Sequence, residues 1–220
     1  MVEDTITREV YETQFNSEDW SGNLIKYTID SNGARTQSWD LATTLNGVQA
    51  STRNIKMFSS TGTSKLKDFT WANLSTAQQT LLNRDYDTTN STADTKGAQR
   101  VAYVRGDQSN EGSASGQFRE RSSVVGDIIN SSPVLVGTPK YLAYLADAID
   151  GATTDGSSKY AAFRTANSAE GANPARRPMV YVGSNDGMLH GFDTRTGAEV
   201  FSYVPSAVIE NLYKLPAKKY

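Results

Sequence analysis

The sequence lacks cysteine altogether and has a single histidine, His190, among its 220 residues. Without cysteine it forms no disulfide and offers neither a thiolate nucleophile nor a cysteine-ligated zinc site. One histidine excludes a histidine-rich metal site and leaves little room for the commonest catalytic arrangements. The sequence therefore predicts no catalytic residue and no metal ligand in this chain, which we expect not to be an enzyme.

The sequence also lacks a large excess of either charge and has no long apolar run. The 22 Lys and Arg residues nearly balance 24 Asp and Glu residues, whereas a nucleic-acid binder normally needs a basic surface. No stretch approaches the roughly 20 apolar residues that cross a bilayer. Met1 is followed by Val-Glu-Asp-Thr instead of a basic and then apolar signal peptide. The sequence predicts no nucleic-acid partner and no membrane span, and it shows no export signal.

Two distant stretches share the same order of strands and turns. Residues 8–39 and 178–204 each have the pattern of strand, glycine-ended turn, strand, glycine-ended turn and strand. The pattern Gly-x-Leu-x-x-Tyr/Phe occurs at 22–27 in the first stretch and at 187–192 in the second. Glycine supplies the positive φ angle that tight turns between antiparallel strands require. Both stretches are predicted to be three-stranded antiparallel meanders.

A lone three-stranded meander leaves two open edges and half of a core, so it must pack against others of its kind. Meanders repeated around an axis form the blades of a β-propeller, typically about four to eight of them. The predicted fold is mainly β: residues 1–220 form one fragment of a β-propeller domain, with short helical and loop insertions. Because no strand at the end of the sequence would visibly close a ring, we expect a piece of a longer polypeptide.

The sequence between the meanders predicts further strands, short helices and exposed loops. Strands are predicted at 52–58, 100–104, 123–129 and 133–137. Helices are predicted at 79–83 behind a capping box at 75–78, at 159–166, and at 207–212 with Ser206 as the cap. Loops dense in Ser, Thr, Asn, Asp and Gly are predicted at 85–97, 108–116 and 150–158. None of these loops separates two domains.

Four sequence blocks resemble the PilC/PilY family of type IV pilus tip-associated proteins. They are Val104–Glu111, Arg121–Gly137, Met179–Asp193 and Tyr203–Ser206. The resemblance implies part of the propeller domain of a large exported bacterial protein that helps initiate pilus assembly, counters retraction and promotes adhesion. In that family a calcium-responsive loop lies elsewhere in the propeller, so no cofactor is expected within this segment.

The resemblance also implies partners and a location. The partners would be minor pilins at the pilus tip and a host-cell or abiotic surface. The location would be extracellular, at the pilus tip or outer membrane after periplasmic export. The chain is therefore interpreted as a non-enzymatic structural and interaction module that presents a rigid propeller surface. Two alternatives remain open: a fragment of a quinoprotein (PQQ) dehydrogenase, whose blades share a similar Asp-Gly-x-Leu pattern, and a glycan-binding propeller with exposed aromatic platforms.

The tripeptide Arg105-Gly106-Asp107 is the one candidate ligand-binding motif, because integrins bind an arginine and a carboxylate presented from one turn. The alternative is a glycine turn in which Arg105 and Asp107 hydrogen-bond to backbone groups of nearby loops.

Other candidate sites are interpreted as structural. The acidic runs at 85–94 and 150–156 miss the spacing of a calcium-binding loop and are predicted to be solvated. His190, in the middle of a strand, is predicted to be a buried, hydrogen-bonded structural residue. The aromatic group of Tyr141, Tyr144, Tyr160 and Phe163 is either a contact surface or a cap on the propeller.

Overall fold

The structure, a computed structural model, describes residues 8–60, 62–140, 159–171 and 174–220. These residues are mainly β, as predicted, and their named strands form two sheets. The first sheet contains, in spatial order, β1 (Arg8–Asn16), β2 (Ser21–Ile29) and β3 (Arg35–Asp40). In spatial order, the second sheet contains β5 (Leu66–Asp68), β4 (Ile55–Phe58), β9 (Glu199–Val204), β8 (Met188–Asp193), β7 (Met179–Ser184) and β6 (Val134–Val136).

Short helices connect these strands. They are α1 (Leu41–Asn46), α2 (Thr76–Leu82), α3 (Gly97–Val104), α4 (Lys159–Ala166) and α5 (Ser206–Ile209), with 3₁₀ turns at Trp71–Asn73 and Leu212–Lys214. The predicted capping box before α2 is confirmed: Ser75 accepts from the backbone of Gln78, and Gln78 accepts in return from the backbone of Ser75. The helix predicted at 159–166 is confirmed as well. In the described residues no helix is long and apolar enough to cross a membrane.

Both predicted meanders are present as antiparallel sheets, β1-β2-β3 and β7-β8-β9. The second meander does not have open edges, however. Strand β4 pairs in parallel with β9, and β6 pairs antiparallel with β7. The edges of this larger sheet are therefore β5 and β6, which the sequence pattern alone did not indicate as neighbours of the meander.

Gly22 was expected to end a turn and lies instead within β2. The turn before β2 has its positive φ at Trp20, at 52°. A Cβ on Gly22 would lie 2.2 Å from the carbonyl oxygen of Gly126, so this position needs glycine for close approach between backbones. Gly187, with φ at 87°, does close a turn as predicted.

Two of the predicted strands are wrong. Residues 100–104 belong to α3, because Val101 and Val104 share one face of that helix and enter a core formed with α2 and β4. Residues 123–129 contain bends and form no strand, and the single bridge they make joins Gly126 to Ser21. Val124, Val125 and Ile128 are buried in the core between the two sheets, whereas Ile129 is exposed.

Smaller differences concern element ends and loops. The strand predicted at 52–58 begins at Ile55, whereas the one at 133–137 is confirmed as β6. Ser206 is the first residue of α5 and not its cap, a position taken by Pro205 without a side-chain hydrogen bond. The predicted loop at 85–97 has no regular strand or helix until α3 begins at its last residue, Gly97. The predicted loop at 108–116 has no regular strand or helix. The loop at 150–158 lies outside the described residues.

Two hydrophobic cores hold the described chain together. In the first, Leu24 and Trp39 of the three-stranded sheet pack with Val180, Val182 and Phe192 of the six-stranded sheet. The second core joins β4 and β9 to α2, α3 and α5, and contains Ile55, Met57, Leu82, Val101, Val104, Val204 and Ile209. The two sheets therefore share a core, which fixes the loops that leave their ends.

Replacing Gly22 with alanine is expected to destabilise the chain by about 2–3 kcal/mol, because the new Cβ meets backbone that cannot easily yield. Gly33→Ala is the matched control, since Gly33 has φ at 85° but no atom of the described residues within 4 Å of an added Cβ; backbone strain alone should cost about 1 kcal/mol there. Urea unfolding of both variants measures the difference. Equal stability of the two variants would contradict the close-approach explanation.

Candidate functional site

His190 lies in β8, fully buried, with a carboxylate against each ring nitrogen. Its Nδ1 is 2.9 Å from Oε1 of Glu199, and its Nε2 is 3.0 Å from Oδ2 of Asp186. The ring stacks on Phe192 with centroids 5.6 Å apart. Since both nitrogens face acceptors, the arrangement fits an imidazolium that donates a hydrogen bond on each side.

The hairpin geometry brings these three side chains together. Asp186 lies in the turn between β7 and β8, and Glu199 begins β9, so both flank the strand that carries His190. Ser202 lies opposite His190 in the pairing of β8 with β9. Its hydroxyl is 2.8 Å from Nδ1 of His190 and donates to Oε1 of Glu199 at 2.5 Å. The local pairing thus holds the histidine and the glutamate in one orientation.

Arg53 completes the network from the other side of Glu199. Its Nε and Nη2 donate to the two oxygens of Glu199 at 2.7 and 2.8 Å, and its Nη1 donates to the carbonyl of Arg105 at 2.8 Å. Two cations therefore stand against the carboxylates of Asp186 and Glu199, and the buried cluster is neutral. A fork of this kind is among the stronger charged hydrogen bonds, and it offsets the cost of removing both ions from water.

Asp186 is held by the backbone as well as by the histidine. It accepts from the amides of Gly126 and Met188 and from the hydroxyl of Ser184. Its neighbour Asn185 donates to Oδ2 of Asp127 at 2.6 Å. The network therefore connects the six-stranded sheet to the segment that packs on Gly22 of the other sheet.

The pKa values follow from these contacts. Burial alone would lower the pKa of His190, but the charges and hydrogen bonds of Asp186 and Glu199 raise it to about 9. Burial would raise the pKa of Glu199, but Arg53 and His190 hold it well below its usual range. Asp186 is likewise held below its usual pKa, against burial, chiefly by His190. At neutral pH the cluster is fully ionised, and a protonated, enclosed imidazole is not available as a general base.

The prediction that His190 is buried and hydrogen-bonded is confirmed, whereas its purely structural role stays a prediction. Sequence reasoning did not identify Asp186 as a partner of His190, although the tight hairpin places that carboxylate beside the imidazole. It missed Arg53 and Glu199 entirely. The sequence spacing between Arg53 and Glu199 carries no signal of their contact, which depends on the parallel pairing of β4 with β9.

The candidate integrin motif lies at the end of α3. The guanidinium of Arg105 donates to the carbonyls of Phe69, Ala50 and Arg53 at 3.0, 2.9 and 2.9 Å. Gly106 has φ at 104°, and Asp107 accepts from the amide of Ser109 at 2.9 Å. Both charged residues thus hydrogen-bond to backbone groups of this chain. Integrin binding by these residues stays a prediction.

The carboxylates of the acidic run at 85–94 form hydrogen bonds and an ion pair with other groups of the chain. Asp85 accepts from the amide of Asp87, and Asp94 forms an ion pair with Arg100 at 2.6 Å. Asp87 accepts from the amides of both Lys218 and Lys219. Among the described residues no group of three or more acidic or histidine side chains could hold a metal ion.

The predicted aromatic group is only partly visible, since Tyr141 and Tyr144 lie outside the described residues. The hydroxyl of Tyr160 donates to the carbonyl of Lys140 at 2.5 Å. Phe163 is exposed, and its ring is 5.9 Å from that of Tyr160. On α4, the exposed ring of Phe163 thus lies beside the half-buried ring of Tyr160.

Residues 125–220 match the PilY1 β-propeller domain. The chain is 44% identical over 222 residues to the type IV pilus biogenesis factor PilY1 of Pseudomonas aeruginosa strain UCBPP-PA14, and 47% identical to that of strain PAK. Both alignments take in 99% of this chain. Over nearly its whole length the chain is therefore similar to PilY1 proteins. The resemblance to the PilC/PilY family is thereby confirmed.

A PilY1 homolog from Xylella fastidiosa strain Temecula1 is 40% identical over 211 residues, or 96% of this chain. The chain spans 18% of the length of the Pseudomonas PilY1 proteins and 15% of the Xylella protein. No solved structure matches it. The match to the PilY1 propeller domain includes Asp186, His190 and Glu199, whereas Arg53 lies before it. The buried ion network therefore joins the matched domain to the preceding part of the chain.

The ion network predicts a pH dependence of stability. The pKa of His190 rises from 6.5 to about 9 on folding, so its contribution is complete below about pH 6.5 and is lost as the pH rises through about 9. Asp186 and Glu199 have depressed pKa values, so their contribution is present at neutral pH and is lost as the pH falls through the acidic range. The histidine's share is on the order of 3 kcal/mol.

Urea unfolding between pH 6 and 9.5 measures this loss for the chain and for His190→Gln. The variant is expected to be less stable at pH 6 and to lose the pH-dependent part, because His190 is the sole histidine. Parallel pH profiles for the two proteins would show that folding does not raise the pKa of the imidazole.

Proposed function

We propose that this chain is a non-enzymatic structural and interaction module of a type IV pilus biogenesis and adhesion factor. The observation that carries the proposal is its identity of 44–47% to Pseudomonas PilY1 proteins over 99% of the chain. Those relatives are named as pilus biogenesis factors, and the chain corresponds to less than a fifth of them. The module would act as part of a larger protein.

Within that protein, we propose that the two sheets are blades of a partial β-propeller. The packing of β2 and β3 against β7 and β8 around one core supports this arrangement, since blades of a propeller pack face to face. The edge strand β6 supports it too, because Val134 and Leu135 are 58% and 52% exposed. An exposed apolar edge is a surface that a further sheet would cover in a complete ring.

Absence of catalysis is supported by the state of the most chemically capable side chains. His190 is protonated and enclosed, and Arg53 and Glu199 are paired with each other. We place no cofactor in this segment, because the carboxylates of the acidic loop at 85–94 accept hydrogen bonds from the chain's own amides and pair with Arg100. The calcium ion implied by the resemblance would lie elsewhere in the propeller.

The partners proposed are minor pilins at the pilus tip, together with a host-cell or abiotic surface. The location proposed is the cell exterior, at the pilus tip or outer membrane. A rigid sheet scaffold suits this role, because it holds loops such as 85–97 and 108–116 in fixed positions for contact.

A chimera tests the pilus role. In Pseudomonas aeruginosa PilY1, the segment that aligns with this chain is replaced by the chain, in cells without another copy. Pilin sheared from the cell surface is expected to match that of cells with native PilY1. The control chimera carries Gly22→Ala, which disturbs the contact between the sheets and is expected to lower surface pili. Surface pilin no greater than in cells without PilY1, despite secretion of the chimera, would reject the proposal.

A further inference from the structure

A cavity of about 540 Å³ lies where both predicted loops meet the end of the chain. Its walls come from the loop at 85–97, the loop at 108–116 with the following Phe118, and residues 213–219. Ligand pockets commonly measure about 300–1,000 Å³. The ion network of His190 does not line this cavity.

Lysine ammonium groups surround the cavity. Lys96 donates to the carbonyl of Gly116 at 2.6 Å, Lys218 to that of Ala114 at 2.7 Å, and Lys219 to that of Thr88 at 3.1 Å. In the part of the chain that the structure describes, none of these three lysines forms an ion pair. Since each ammonium carries three N–H groups, each has donors left for a ligand.

The local charge is positive although the chain as a whole has a net charge of −2. Besides these three lysines, Lys214 places its ammonium 5.8 Å from the centroids of Tyr86 and Tyr213. The opposing carboxylates lining the cavity are those of Asp85 and Asp87. Both of them accept hydrogen bonds from backbone amides of the chain. The three lysines that line the cavity outnumber its two carboxylates, and Lys214 beside the lining tyrosines adds positive charge nearby, which favours an anionic ligand.

The aromatic walls favour a peptide over a sugar. The ammonium of Lys219 covers the ring of Tyr86 at 4.5 Å from its centroid. Phe118 and Tyr213 are buried, so no free ring face is offered for stacking against a sugar. Ammonium groups act as point charges, which suits carboxylates that arrive from several directions.

We propose that this cavity, lined by Lys96, Lys218 and Lys219, binds an acidic peptide segment of a partner protein through its carboxylates. The site itself rests on the charge and shape of the cavity, whereas the choice of a protein partner rests on the proposed interaction role. The loops at 85–97 and 108–116 would then be the binding loops of this module.

The test measures binding of a synthetic hexapeptide of alternating Asp and Glu to the purified 220-residue chain by calorimetry. We expect binding that weakens as salt is raised, and no binding of the matched Asn/Gln hexapeptide. Lys96→Gln and Lys219→Gln should each weaken binding about tenfold, the effect of losing one charge-assisted hydrogen bond.

Lys65→Gln is the matched control, because Lys65 is exposed and also donates to backbone carbonyls, those of Ser60 and Gly62, away from the cavity. It should bind the acidic peptide like the unaltered chain. Thermal unfolding of all three variants verifies that they are folded.

Three outcomes would overturn the proposal: equal binding of the two hexapeptides, equal losses in Lys65→Gln and the cavity variants, or tighter binding of an oligogalacturonate than of the acidic peptide. The measurement needs no pilus, so its result is separate from that of the chimera. Peptide binding by a chain whose chimera assembles no pili would reject the pilus role and leave the site standing.

Discussion

The contact between Glu199 and its two cationic partners is the constraint on which most of the described structure depends. Arg53 comes from the region before β4, and His190 comes from the centre of the second meander. Removing either cation would leave the buried cluster with an uncompensated negative charge, a change that commonly costs about 3–5 kcal/mol. The network therefore selects one arrangement of β4, β8 and β9, and through Asp186 it also positions the segment around Gly126.

Local sequence patterns predicted the features that depend on neighbouring residues. The meanders, the capping box at Ser75 and the burial of His190 all follow from short-range spacing and side-chain type. The pattern could not show that β4 adds to β9, because parallel pairing between distant segments leaves no periodic signal in either one. For the same reason Arg53 and Glu199 were not recognised as partners.

The segment at 100–104 shows a second limit of sequence patterns. A short apolar run with valine and tyrosine fits a strand as well as a helix, and the surroundings decide between them. Here Arg100 pairs with Asp94 while Val101 and Val104 enter the core beside α2, which a helical period allows. The cavity at the two loops could not be predicted from the sequence either, because Lys218 and Lys219 are distant in sequence from the two loops that form its other walls.

The parallel pairing of β4 with β9 has a consequence for the order of folding. Ile55 lies opposite Ser202, so this part of the sheet cannot form until synthesis has reached β9. Contacts between such distant residues require costly loop closure and slow the search for the native state. Until then Ile55 and Met57, which are buried in the final structure, would be open to unwanted association.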